Sequence, residues 1–147
     1  MVIVPTENME MVREILTHPK VYPWCGDDFS PPVDQFWPQV SDAVLYALVK
    51  EEGLFIFGKG NPACWEVHMA FLPSMWGEAR ELSRGVADWV FENHKGCHRI
   101  VASVPVDNTL AVKVAEAAGM SVFGVNPKSF MRNGQLVDQK LFGISRS

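Results

Sequence analysis

Apolar positions along the chain alternate between strand-like runs and helical spacing, which predicts strands and helices mixed in one α/β fold. The first predicted strand is Val2–Val4. A helix follows it, with Thr6 as the expected N-cap. It ends before Pro19, since the residue preceding a proline avoids helical backbone. The apolar face of this helix consists of Met9, Val12 and Leu16.

The segment Lys20–Pro38 is irregular and rich in proline, but it is too aromatic for a flexible linker. We expect an ordered loop or lid that contains a short helix, with Ser30 as its cap and Pro31 in its first turn. Its large aromatic side chains are Trp24, Phe29, Phe36 and Trp37.

Three strands are predicted next, at Ala43–Lys50, Leu54–Gly58 and Ala63–Phe71, separated by turns rich in glycine and charge. In the third strand the alternation of side chains separates two faces. One face carries Trp65, Val67, Met69 and Phe71. The other carries Cys64, Glu66, His68 and Ala70.

In the C-terminal half, the spacing of apolar residues predicts a long helix at Gly77–Asn93 and then a buried strand at Arg99–Val104. Because a helix joins them, this strand and Ala63–Phe71 should pair in parallel with a right-handed crossover. The remaining predictions are a helix capped by Asn108 and closed by Gly119, strands at Ser121–Val125 and Val137–Ile144, and a turn at Asn133-Gly134 between them.

Composition narrows the function classes. A chain of 147 residues with 48% apolar residues is expected to form one domain, residues 1–147. The net charge of −4 disfavours nucleic-acid binding, and the longest apolar runs are too short for a membrane span. The N-terminus does not have the pattern of a signal peptide, and three widely spaced cysteines do not form a disulfide framework. We therefore expect a cytoplasmic protein.

Two motifs resemble the GNAT superfamily of N-acetyltransferases. The first is the loop Ser74–Ala79 between a strand and a helix, where the family has Arg/Gln-x-x-Gly-x-Gly/Ala. Successive amides at such a turn can hold a pyrophosphate, and Gly77 would allow its close approach. The chain departs from the pattern at Ser74, which replaces Arg or Gln, and Glu78 adds an acidic group beside the proposed phosphates.

The second motif matches the family's Asn-x-x-Ala-x-x-x-(aromatic or aliphatic)-x-x-x-Gly-(Phe/Met) block. Here it comprises Asn108, Ala111, Ala115, Gly119 and Met120. In the family, this helix lies beside the pantetheine arm of the cofactor. Taken singly, Asn108 and Gly119 are also ordinary helix caps.

The resemblance implies a mostly antiparallel, mixed sheet of about six or seven strands, with helices on both faces. The sheet would splay between two parallel central strands. It also implies acetyl-CoA as the cofactor and an amine, small or on a protein, as the acceptor. The residues expected to bind the cofactor are Met69, Phe71, Ser74, Met75, Trp76, Gly77, Glu78, Ala79, Asn108 and Ala111.

In the family, the catalytic base is often a carboxylate or histidine on the strand before the loop. Glu66 is the first candidate here and His68 the second, since they share one strand face. Their alternative interpretations are an exposed strand carboxylate and a half-buried, hydrogen-bonded histidine. The family often protonates the leaving thiolate with a tyrosine near the position of Ala115, and neither Tyr22 nor Tyr46 lies in that helix.

This gap keeps a second hypothesis open, a protein of the same fold that serves as a catalytically weak or inactive binding or structural module. A narrower resemblance, to short acetyltransferase-like proteins of tailed bacteriophages, supports it and extends the possible locations to the host cytoplasm or the virion. Possible partners are then a second copy or phage structural proteins. The residues behind this resemblance include His18-Pro19, Trp24, Asp27-Asp28, Phe36-Trp37-Pro38, Val67-His68, Leu72-Pro73, Val106-Asp107-Asn108, Asn133-Gly134 and Asp138.

Three other groups are weaker candidates. Cys97-His98 does not have metal-ligand spacing, so no metal site is expected. Asp27-Asp28 could attract a cationic amine or serve only as turn residues. Trp24 and Trp37 could line an acceptor pocket or pack in the lid.

Overall fold

A computed structural model describes residues 3–147. The elements in chain order are β1 (Ile3–Pro5), α1 (Met9–Leu16), α2 (Tyr22–Cys25), a 3₁₀ turn (Val33–Gln35), β2 (Val44–Val49), β3 (Gly53–Gly58), β4 (Cys64–Phe71), a second 3₁₀ turn (Pro73–Met75), α3 (Ala79–Ser83), α4 (Val86–Asn93), β5 (Arg99–Pro105), α5 (Thr109–Ala117), β6 (Ser121–Arg132) and β7 (Gln135–Ser145). Of the predicted first strand, Val2 lies outside the described residues.

The strands form one seven-stranded sheet in the order β1-β2-β3-β4-β5-β7-β6. Every neighbouring pair is antiparallel except β4 and β5. That parallel pair is short and runs from Cys64–Arg99 to Glu66–Val101, after which the two strands separate. The expected fold is confirmed, including the opening between two parallel central strands.

Helices cover both faces of the sheet, and each face has its own apolar cluster. The helices α3, α4 and α5 pack on the face that includes Trp65 and Phe71. Helix α1 packs on the other face, with Leu54 and Ala70. Because side chains alternate along β4, Glu66 and His68 lie on the face covered by α1 and the segment after it.

The predicted continuous helix Gly77–Asn93 is wrong. The structure has a 3₁₀ turn and then α3, and Gly85 separates α3 from α4. The Ser83 hydroxyl donates to the Ala79 carbonyl at 2.6 Å, a competing bond that often accompanies a bend. The chain therefore turns within this segment while keeping its apolar side on the sheet.

Two predicted caps are also wrong. The N-cap of α1 is Asn8, whose side chain accepts from the Met11 amide, whereas Thr6 accepts from the Asn8 amide. Ser30 accepts from the Asp27 amide and caps no helix, and the 3₁₀ turn begins three residues after it. The predicted Asn108 cap is confirmed, because its Oδ1 accepts from the Ala111 amide at 3.2 Å.

The last two strands are longer than predicted, since a two-residue turn joins them directly. Asn133 and Gly134 both have left-handed backbone, with φ of 52° and 75°. This conformation matches the twist of a tight hairpin. The hairpin of β6 and β7 therefore projects far enough to meet the irregular segment 20–38.

Candidate functional site

A cavity of about 390 Å³ lies where β4 and β5 separate. Its walls come from both faces of the sheet. From the α5 side it is lined by Val67, Met69, Ala102, Val104, Asn108, Ala111 and Ala115. From the opposite side it is lined by Leu16, Tyr22, Trp24, Cys25, Phe36, Ile56, Glu66, His68, Ser103, Phe130 and Gln139.

The separation of the strands leaves backbone groups of β4 without a neighbouring strand. The Ala63 carbonyl accepts from the Arg99 amide, so the backbone groups of alternate residues from Ala63 onward face β5. Val67 and Met69 follow in that alternation, beyond the last paired residue, Glu66. Their amides face the opening and are available to a ligand.

Glu66 and His68 lie together at this cavity. Their Oε1 and Nε2 atoms are 3.4 Å apart, and the side chains are 51% and 58% exposed. The hydrogen bond from His68 lowers the pKa of Glu66 more than partial burial raises it. Glu66 is thus a carboxylate at neutral pH that can accept a proton only when a bound group brings a strong driving force.

Helix α5 presents small side chains to the cavity. Ala111 and Ala115 both line it, and Asn108 lies at its edge as the helix cap. Methyl groups leave room for a slender chain along the helix, but they cannot donate a proton. No proton donor therefore takes the place of the family's tyrosine at Ala115.

The loop Ser74–Ala79 has some amides bonded internally and others free. The Trp76 and Glu78 amides donate to the Pro73 and Met75 carbonyls. Within residues 3–147, the amides of Gly77 and Ala79 have no backbone acceptor, and neither do those of Arg80 and Glu81. Two of the four amides from Trp76 to Ala79 are therefore already used by the turn, and the other two are available to a ligand.

The side chains of this loop divide into buried and exposed ones. Met75 and Ala79 are in the core, so they could meet a ligand only through their backbone. Glu78 points to Lys50, with Nζ and Oε1 3.3 Å apart, and this pairing offsets its negative charge. The remaining residues of the loop, Ser74, Trp76 and Gly77, are exposed.

A second cavity, of about 210 Å³, brings several predicted cofactor residues together. It is lined by Met69, Phe71, Trp76 and Asn108 among others. Trp76 donates its indole N–H to the Phe71 carbonyl at 2.8 Å, which fixes the ring beside the end of β4. The two cavities share Trp24, Cys25, Met69 and Asn108 as lining residues.

The segment 20–38 forms the roof of the main cavity and is anchored to the β6–β7 hairpin. Asp28 accepts from the amides of Asn133 and Gly134, each at 2.8 Å. Arg132 donates to the Pro23 carbonyl at 2.6 Å, and its guanidinium lies 4.8 Å from the centre of the Trp24 ring. The segment is therefore an ordered part of the site.

Some sequence candidates have other roles. Asp27 accepts a hydrogen bond from the Phe29 amide, and Asp28 accepts from the Asn133 amide. Both acidic residues of the pair are thus hydrogen-bonded to the backbone. Trp24 lines the cavity, but Trp37 packs under the Arg13 guanidinium instead. Cys97 is buried and His98 exposed, and no metal-holding group of acidic, histidine and cysteine side chains occurs within residues 3–147.

Among the lining residues that sequence reasoning missed are Tyr22, Cys25, Ser103 and Gln139. Cys25 lines the cavity and is exposed at its surface. Ser103 and Gln139 could have been found from strand parity, because both share a face with Glu66 once the register is known. No local signal marks the other two.

In the part of the chain that the structure describes, no helix is long and apolar enough to cross a membrane.

Comparison with known proteins agrees with this geometry. A family model described as an acetyltransferase (GNAT) domain matches residues 4–121. A search of curated proteins gives no match.

Several solved structures share the fold. The spermidine N-acetyltransferase from Vibrio cholerae, in complex with CoA and spermine, is 18% identical, with a TM-score of 0.77 over 98% of this chain and 94% of that chain. The protein smu.2055 from Streptococcus mutans is 18% identical, with a TM-score of 0.70 over 99% of both chains. A GNAT-family acetyltransferase from Bacillus anthracis is 22% identical, with a TM-score of 0.59 over 70% of this chain and 66% of that chain.

Proposed function

The chain belongs to the GNAT acetyltransferase family, and from that premise we propose that it transfers the acetyl group of acetyl-CoA to an amine. The main supporting observation is the cavity at the opening between β4 and β5. It combines a carboxylate, Glu66, with free backbone amides of β4 in one cavity. Those are the groups that amine deprotonation and thioester polarisation require.

The residues present fit acetyl-CoA. The free amides of Gly77, Ala79, Arg80 and Glu81 can donate to the pyrophosphate, and Gly77 has open space beside it. The small side chains of α5 leave room for the pantetheine arm toward the cavity. When bound there, acetyl-CoA would supply an activated acetyl group as a thioester.

The chemistry of the chain's own residues follows from their positions. Glu66 accepts the proton that the amine loses, directly or through a water molecule, and His68 holds the carboxylate in place. The Met69 amide faces the opening and would donate to the carbonyl oxygen of a bound thioester. The thiolate released by acetyl transfer would take its proton from solvent, because the Ala115 methyl group on the cavity wall cannot donate one.

A second candidate function, a binding module that retains the cofactor site, is favoured by that last feature. With Ala115 lining the cavity, the leaving thiolate has no positioned proton donor on α5. The resemblance to bacteriophage proteins would place such a module in a virion or in its assembly. This alternative predicts cofactor binding without turnover.

Calorimetry and a turnover assay together test the proposal. Titration of acetyl-CoA should show micromolar binding, and thiol release should become amine-dependent across a panel that begins with spermidine, the amine named for the Vibrio cholerae enzyme. Binding without acetylation of any amine would favour the module. Absence of binding at millimolar acetyl-CoA would overturn both candidates.

A further inference from the structure

The charge and shape of the acceptor side of the cavity narrow the substrate class. We propose that the acceptor is a small monoamine whose nitrogen is attached to an aromatic or similarly apolar body, rather than a polyamine. This inference rests on the proposed acetyl transfer. It depends on four features of the described residues.

First, the acceptor side offers a single acidic group. Glu66 is the only carboxylate that lines the cavity within residues 3–147, and no lysine or arginine lines it. Glu66 can therefore neutralise one ammonium group, that of the amine that attacks the thioester. A second or third ammonium would enter a largely apolar space, where an unpaired charge is costly.

Second, the carboxylates next to the cavity already have partners. Asp107 pairs with the Arg132 guanidinium, with Oδ2 and Nε 3.1 Å apart. The other three accept hydrogen bonds from backbone amides. Asp27 accepts from Phe29, Asp28 from Asn133 and Gly134, and Asp138 from Lys128. A polyamine would have to displace these structural bonds to gain a second anionic contact.

Third, a fixed positive charge lies behind the aromatic wall. The Arg132 guanidinium is 4.8 Å from the Trp24 ring centre and 4.9 Å from the Phe130 ring centre, and the side chain is only 11% exposed. Both rings line the cavity, and one face of each is already engaged by this cation. A distal ammonium on these rings would lie close to the guanidinium, so they attract it less than rings without a bound cation would.

Fourth, the remaining wall suits an apolar body. The Tyr22 and Phe36 rings pack edge to face with centroids 5.5 Å apart, and Leu16 and Ile56 complete the surface. The Tyr22 hydroxyl donates its proton to the Pro31 carbonyl and therefore cannot donate to a substrate. Burial of one benzene ring on such a wall contributes about 1.5–3 kcal/mol, which is at least tenfold in affinity.

The test compares three amines: 2-phenylethylamine, propylamine and spermidine. With saturating acetyl-CoA, we expect kcat/KM for 2-phenylethylamine to exceed that for propylamine and for spermidine by about tenfold or more. Equal or higher kcat/KM for spermidine would overturn the inference and leave acetyl transfer intact. If no amine is acetylated although acetyl-CoA binds, the proposed function fails, and the inference fails with it.

A variant that adds charge gives an independent readout. Gln139 lies opposite Pro105 and shares the face of Glu66, so Gln139→Glu adds a second carboxylate with little change of shape. The ratio of kcat/KM for spermidine to kcat/KM for 2-phenylethylamine should rise by roughly tenfold in this variant. Gln35→Glu makes the same change on an exposed turn outside the cavity and should leave the ratio unchanged. An equal ratio in the wild type and both variants would show that acidic charge does not set the preference.

Discussion

At the scale of single residues, the chemistry of the site depends on Glu66 and its contact with His68. The two side chains are half exposed on one face of β4, next to the point where the sheet opens. Strand parity accounts for their shared direction, and the opening accounts for their access to a substrate. Neither side chain is needed for the core, so substitutions there report on chemistry.

Glu66→Gln keeps the shape of the side chain but removes the base. We expect kcat to fall about 10²–10⁴-fold while the acetyl-CoA dissociation constant stays within about twofold. Steady-state kinetics with an accepted amine, combined with calorimetry, separates the two effects. The paired variant His68→Ala should lower kcat less, because it removes only the group that positions the carboxylate.

Another result would contradict this assignment. If both single variants and the double variant turn over within about twofold of wild type, neither side chain is the base. Catalysis would then depend on positioning and on backbone polarisation alone, and the amine would have to arrive deprotonated.

The pKa of Glu66 also predicts a dependence of stability on pH. The folded state lowers this pKa from its usual 4.5, so the folded protein holds the proton less tightly than the unfolded chain. The carboxylate's stabilising contribution is complete above the unfolded pKa and is lost as the pH falls through the folded one. Urea unfolding from about pH 5.5 to about pH 3 should show the difference between wild type and Glu66→Gln shrinking. A difference that grows toward low pH would contradict the shift.

At the scale of elements, the loop before α3 is the proposed phosphate site, and Gly77 offers a test of it. Its backbone is not left-handed, and a Cβ there would meet nothing within 4 Å. Gly77→Ala and Gly77→Glu should therefore both fold with wild-type stability. Only the glutamate adds bulk and negative charge beside the free amides, so it should weaken acetyl-CoA binding at least tenfold in calorimetry.

The alanine variant is the matched control for this experiment: it adds a methyl group without charge, so it should weaken acetyl-CoA binding much less than Gly77→Glu does. A folded Gly77→Glu protein with unchanged affinity would show that the pyrophosphate binds elsewhere.

The anchoring of the segment 20–38 is a second feature at this scale. Asp28 joins this segment to the β6–β7 turn through two amide bonds, and its removal leaves both amides to solvent. Asp28→Ala should cost about 1 kcal/mol of stability and should raise KM for the amine more than KM for acetyl-CoA. Asp42, an exposed acidic residue with no such contact, provides the control as Asp42→Ala. Equal effects of the two variants would show that the anchor does not shape the acceptor site.

At the scale of the whole molecule, two apolar clusters lie on opposite faces of one sheet. Leu54 and Phe57 both lie in β3 and are fully buried, one in each cluster. The chain is expected to unfold as one domain, because the same strands support both clusters.

Phe57→Ala and Leu54→Ala test that expectation. Each should lower the free energy of unfolding by about 3–5 kcal/mol and shift one common transition. Within each variant, far-UV and near-UV circular dichroism should give the same unfolding midpoint. Two separate transitions in either variant would show that the faces unfold independently and that the chain is not one cooperative unit.

Several features of this protein could be predicted from the sequence alone because they depend on neighbouring residues. The alternation in Ala63–Phe71 correctly placed Glu66 and His68 on one face, since side-chain direction follows directly from strand geometry. The Asn108 cap and the parallel pairing of β4 and β5 followed from local cap chemistry and from the helical crossover between the strands. The family motifs extended these local predictions to a proposed cofactor site.

Other features were decided only by the tertiary structure, because they join residues far apart in the chain. The contact of Asp28 with Asn133 spans 105 residues, and no local pattern marks either residue as a partner. The roof of the cavity, and the aromatic wall that narrows the acceptor class, depend on this contact and on Arg132.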